Sequence, residues 1–178
     1  MAQGEIGTYL RFALQQIAAE SYLDGIDLSS PQRVIGQLQL GNNNITGDDP
    51  TALVLPGKTR MTTVQAEQFV QRYQVVDHHA NDATGFSATV LFDTETNSYT
   101  LSFRSSEYAI DNNGGDRSRD ILGADAEIKS SGFAFAQLVS MTRYFEDLQQ
   151  GKKSDGTVDP SLAAFFGNSQ NQLNVTGY

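Results

Sequence analysis

The chain has 178 residues and a mass of 19.4 kDa, with 39% hydrophobic and 19% charged residues, a balance that suits a folded domain rather than a disordered segment. A net charge of −9 and a pI near 4.5 argue against nucleic-acid binding and against adsorption to anionic membranes by charge alone. There is no cysteine, which excludes disulfides, a cysteine nucleophile and a thiolate zinc site.

The opening MAQGEIGTYLRF lacks a basic stretch ahead of a long apolar run, so no secretory leader is visible. No stretch approaches the roughly 18 apolar residues of a membrane span. Residues 5–23 form an amphipathic helix by pattern, with Leu10, Ala13, Leu14 and Ile17 on one face and Tyr22 and Leu23 following. Ser30-Pro31 reads as an N-cap with proline at the first helical position, opening a short helix through Val34, Ile35 and Leu38. Residues 41–50 (GNNNITGDDP) read as a loop. Thr62 or Thr63 opens a third helix, with Ala66, Phe69, Val70 and Tyr73 as its apolar stripe.

The strongest β-signal is central. Residues 85–92 (GFSATVLF) and 98–103 (SYTLSF) are rich in β-branched and aromatic side chains, and residues 93–97 (DTETN) suit a hairpin turn. Residues 111–120 (DNNGGDRSRD) read as a polar, glycine-bearing loop. Residues 132–150 predict the longest helix, with Phe135, Leu138, Met141, Phe145 and Leu148 at three- and four-residue steps. Asp159-Pro160 caps a short helix through Leu162 to Phe166. Residues 172–178 (QLNVTGY) begin as a strand and run into Thr-Gly. No internal repeat and no second domain is visible, and a buried strand ending on Gly177-Tyr178 is more natural for a fragment than for a complete domain.

Two segments carry a resemblance. Residues 100–107 (TLSFRSSE) resemble the strand end F-R-G-[ST]-E of class 3 lipases and their bacterial relatives. After the long helix, Val175, Thr176, Gly177 and Tyr178 resemble the start of that family's V-T-G-[HY]-S-L-G-G, whose serine is the nucleophile. In the right order and with a long helix between them, the two are more specific together than either alone. The likeness covers roughly residues 62–178 and is greatest to the acidic, secreted bacterial lipases with calcium-binding repeats.

That resemblance implies an α/β fold. The chain would be the N-terminal portion of an α/β-hydrolase, with residues 1–61 a helical segment and 62–178 the core. The hairpin strands and the last strand would share one mixed central sheet, with the N-terminal helices and the long helix on its faces. The nucleophile would follow Tyr178 immediately, on the sharp strand-to-helix turn such enzymes use. Ser106 would supply one oxyanion-hole N–H, flanked by Arg104, Ser105 and Glu107. Ser105 stands where most members have glycine; a φ above zero there would strain a serine by roughly 1 kcal/mol. The implied partners are a companion C-terminal fragment and an ester or lipid substrate, and the implied location is extracellular, reached without an N-terminal leader; the cytoplasm is the alternative.

Other residues keep two readings each. His78-His79 could serve as base or metal pair, but neighbours on a strand or helix point different ways, which favours a solvated loop with one histidine hydrogen-bonded. Asp111, Asp116 and Asp120 could bind calcium through an oxygen-rich loop, yet they lack EF-hand spacing and read as plain surface; no other cofactor is implied. Phe133, Phe135, Tyr144 and Phe145 read as core, with an acyl-chain pocket as the alternative. A non-enzymatic α+β binding or structural module, with calcium binding as a variant of it, competes with the hydrolase for the whole chain.

No G-x-S-x-G is present. The pure 178-residue polypeptide is therefore expected to hydrolyse no ester, and a p-nitrophenyl ester assay on a homogeneous preparation checks this.

Overall fold

The computed structural model describes residues 2–42, 59–105, 123, 125–132 and 134–177. Among the described residues six helices and four strands follow in the order α1 (Ala2–Glu20), α2 (Pro31–Leu40), α3 (Thr63–Arg72), β1 (Tyr73–His79), β2 (Ala88–Asp93), β3 (Ser98–Phe103), α4 (Asp125–Ser131), α5 (Phe135–Gln149), α6 (Pro160–Phe166) and β4 (Asn174–Thr176). The strands form one mixed sheet in the order β1-β2-β3-β4. β2 and β3 are antiparallel, from Ala88↔Phe103 to Asp93↔Ser98. β3 and β4 are parallel, with Ser102 opposite Thr176. The architecture is thus mixed α/β with a four-stranded mixed sheet and flanking helices.

The described chain divides into two compact units. One comprises Met1–Val76, Ala88–Ser105 and Asn174–Tyr178; the other comprises Asp77–Ser87 and Ser106–Leu173. In the first, Leu23, Val34, Leu38, Met61, Phe69 and Tyr73 lie at the centre of a continuous apolar core that Leu91 of β2 joins. In the second, Phe86, Tyr144, Leu148, Leu162 and Phe166 are buried, with Phe145 and Phe166 edge to face at 5.8 Å.

Local chemistry sets several element ends. Thr62 and Gln65 form a reciprocal capping box that starts α3. The Asp159 carboxylate accepts the N–H of Ser161 and caps α6, with Pro160 in its first turn. Ser30 occupies the N-cap position of α2, but its side chain makes no capping bond. Gly41 ends α2 at φ 63°, and a Cβ there would sit 1.9 Å from the Thr59 carbonyl oxygen, so only glycine fits.

Four expectations need correction. α1 does not bury Leu10, which is 61% exposed; Gln15, Gln16, Ala18, Ala19 and Glu20 are buried instead. Tyr73 is not the last step of a helical stripe but the first residue of β1, and the histidine pair lies on that strand rather than in a loop. β2 begins at Ala88, because Gly85 (φ 81°) and the Asp82 carboxylate, which accepts the N–H groups of Thr84 and Phe86, form a turn ahead of it. Gly132 (φ 84°) separates a short α4 from α5, whose Phe135 is 55% exposed instead of core. Phe133 lies outside the described residues.

The hairpin is locked by charge. Arg72 holds Asp93 through Nε and Nη2, the latter at 2.7 Å, and the Asp93 carboxylate also accepts the N–H groups of Glu95 and Thr96 in the turn. Burial pushes the Asp93 carboxyl up, but these hydrogen bonds overbalance it and hold the group below the usual carboxylate range. A depressed folded-state pKa contributes stability that is present above the unfolded value and is lost as pH falls through the folded one. Urea titrations from pH 7 down to pH 2 should therefore show a stability advantage of the natural chain over Asp93→Asn of about 2 kcal/mol at neutral pH, shrinking below about pH 4.

Candidate functional site

The end of β3 is built by two buried polar residues of α1. Gln16 and Glu20, one helical turn apart, face the strand, and Glu20 is 1% exposed. Gln16 Nε2 donates to Glu20 Oε1 at 2.9 Å and to the Phe103 carbonyl at 2.7 Å. Gln16 Oε1 accepts the Ser102 hydroxyl at 3.0 Å. Glu20 Oε1 accepts the N–H of Ser105 at 2.9 Å and its Oε2 accepts the Ser105 hydroxyl at 2.8 Å. Ser102 Oγ in turn bonds Thr176 Oγ1 on β4; because the Ser102 proton goes to Gln16, Thr176 is the donor. The Arg104 guanidinium lies over the Tyr22 ring at 4.2 Å.

This network brings together Ser105, Arg104 and the β4 segment leading to Gly177. Among the described non-glycine residues only Asn97 has a positive φ, so Ser105 is not strained where a glycine was anticipated. Its hydroxyl is instead a ligand of Glu20. Gly177 has no positive φ, and a Cβ there would make ordinary contact with Phe103 at 3.6 Å, so nothing among the described residues requires glycine. Ser106, Glu107 and Tyr178 lie outside the described residues, as do Asp111, Asp116 and Asp120. Val175 is 58% exposed, so β4 is not the buried strand that was anticipated.

A second polar cluster occupies the other unit. Asp77 on β1 is 2% exposed. Its carboxylate accepts the Tyr144 hydroxyl at 2.8 Å, the Ser154 hydroxyl at 2.9 Å and the Ser154 N–H at 3.1 Å. Burial first, then the adjacent Asp77 charge, holds the Tyr144 phenol well above its ordinary pKa, so it remains a donor. The His79 ring stacks beside Tyr144 at 4.9 Å and Phe86 at 5.3 Å, with Nε2 3.8 Å from Asp82 Oδ2. His78 is buried. Among the described residues no group of three or more His, Cys, Asp or Glu side chains is placed to hold a metal ion.

Glu20, Gln16 and Asp77 were not singled out in the sequence. Gln16 and Glu20 carry one legible signal, polar residues at i and i+4 on an otherwise apolar helix face, but the same spacing suits a solvated pair. No protein-family model matches the chain, and no curated protein or solved structure matches it.

Removing the Glu20 carboxylate leaves the Ser105 N–H and one of the two Gln16 amide hydrogens without their acceptor. Glu20→Ala should cost about 2–3 kcal/mol and Tyr144→Phe about 1 kcal/mol, read as shifts of the urea midpoint.

Proposed function

We propose that this chain is the front part of a serine carboxylic-ester hydrolase, a lipase or esterase, and that it contributes one half of the oxyanion hole and the strand leading into the nucleophile turn. One observation carries this reading: β3 and β4 are parallel neighbours, with Ser102 opposite Thr176, so both leave the sheet at the same end. Adjacent strands lie about 4.8 Å apart. The two N–H donors of an α/β-hydrolase oxyanion hole come from the residue after the nucleophile and from the loop after a neighbouring strand. Here those positions correspond to the segment following Tyr178 and to Ser106, next to the Ser105 that Glu20 grips.

The chemistry then runs as acyl transfer. The serine after Tyr178 attacks the ester carbonyl, a histidine supplied by the C-terminal remainder takes its proton, and an acid orients that histidine. The oxyanion is met by the Ser106 N–H and by the N–H after the serine. The histidines at 78 and 79 have no part in this; one is buried and the other is stacked between aromatic rings. Ester or lipid is the substrate class, and by the same resemblance the enzyme acts outside the cell, with calcium as a structural ion in the remainder.

The test uses the chain together with its own C-terminal continuation. A fluorophosphonate probe should label one serine, the residue directly after Tyr178. Ser106→Pro, which removes the N–H, should lower kcat about 10²–10³-fold, whereas Ser106→Ala should leave it near native. Absence of labelling in folded protein, or label on a serine within residues 1–178, overturns the reading, and the former outcome favours a binding module.

A further inference from the structure

The second unit contains an open pocket of about 420 Å³, within the range of small-molecule sites. Arg143 of α5 and Lys152 and Lys153 of the following loop line it, together with Ser140, Ser154 and Tyr144. Three cations converge there on a chain whose net charge is −9.

The loop that presents the lysines is rigidly held. Asp77 pins Ser154 from below through its N–H and hydroxyl. Lys152 bridges Val158, and the Lys153 N–H donates to the Thr157 carbonyl at 2.9 Å. Gly151 opens the loop at φ 75°, where a Cβ would lie 2.6 Å from the Asp159 carbonyl oxygen. Cations on a fixed backbone lose little freedom when they meet an anion.

The two carboxylates lining the pocket are already engaged. Asp147 lies 3.5 Å from Lys152 Nζ. Asp82 accepts bonds from Thr84 and Phe86. Among the described residues Arg143 and Lys153 have no carboxylate within ion-pair distance. The Ser154 hydroxyl proton goes to Asp77, which leaves its oxygen as an acceptor, and Ser140 Oγ lies 3.3 Å from Thr84 Oγ1.

We propose that this pocket binds a hydroxylated small molecule bearing a tetrahedral oxyanion, a phosphate or sulfate monoester. Arg143 and Lys153 take the oxyanion, the guanidinium as a fork and the ammonium as a point charge. Ser154 accepts a hydroxyl group of the ligand body. The assignment is independent of the ester-hydrolase reading, because it uses none of the residues that reading places at the ester.

Calorimetry on the full chain at low salt tests it, with glucose 6-phosphate and glucose 6-sulfate as probes and glucose as control. Either ester should bind with a Kd below about 1 mM, and glucose should not; the tighter of the two names the natural oxyanion. Arg143→Ala and Lys153→Ala should each weaken binding about tenfold and leave the ligand-free Tm near that of the natural chain, since neither side chain forms an ion pair among the described residues. No binding of either ester up to about 20 mM, equal binding of glucose, or unchanged binding by the double variant overturns the proposal.

Discussion

A buried carboxylate that ties the first helix to the third strand organises the sheet half of this protein. Glu20 is almost inaccessible, and both its oxygens are occupied, by Gln16 on its own helix and by the N–H and hydroxyl of Ser105. An isolated carboxylate in such a place would be strongly destabilising. Three donors make it tolerable, and they fix where the chain leaves β3. Gln16 extends the same bracket, because its amide carries a bond at each end: nitrogen to Glu20 and to the Phe103 carbonyl, oxygen from Ser102. Thr176 closes it from β4. The result is a short parallel strand pair held by side chains as well as by its ladder.

The second unit uses the same device. Asp77 is buried, accepts three hydrogen bonds from Tyr144 and Ser154, and thereby fixes a basic loop that closes on itself between Gly151 and Asp159. In both units the buried carboxylate is held by neutral donors. Its effect is geometric: it selects one position for a backbone segment that the hydrophobic core alone would leave loosely specified.

The strand ends of β3 and β4 emerge side by side, and the Ser105 hydroxyl after β3 is bound to Glu20. The exposed Val175 and the open side of β4 give that strand an unpaired edge among the described residues.

Much of the local structure was legible because it rests on neighbours in the chain. Thr62 with Gln65 and Asp159 with Pro160 announce helix starts through bonds spanning two or three residues, and the Asp93–Asn97 turn with its alternating flanks announces the hairpin. β1 was hidden because Tyr73 continues the spacing of Ala66, Phe69 and Val70, so a helical stripe reads straight through the true helix end. The long helix predicted from Gly132 starts instead at Phe135, and a short α4 precedes it, because Gly132 adopts φ 84°, a backbone state that residue type alone does not reveal. The burial of Gln16, Glu20 and Asp77 was decided only by tertiary structure. Each is stabilised by partners 67 to 87 positions away, and a polar residue's pattern looks the same whether water or a distant N–H satisfies it. Sequence alone therefore determined the hairpin and most helix starts, which are short-range properties. The bracket at β3, the parallel pairing with β4 and the pinned basic loop required the folded chain, because long-range hydrogen bonds between polar groups leave no periodic trace.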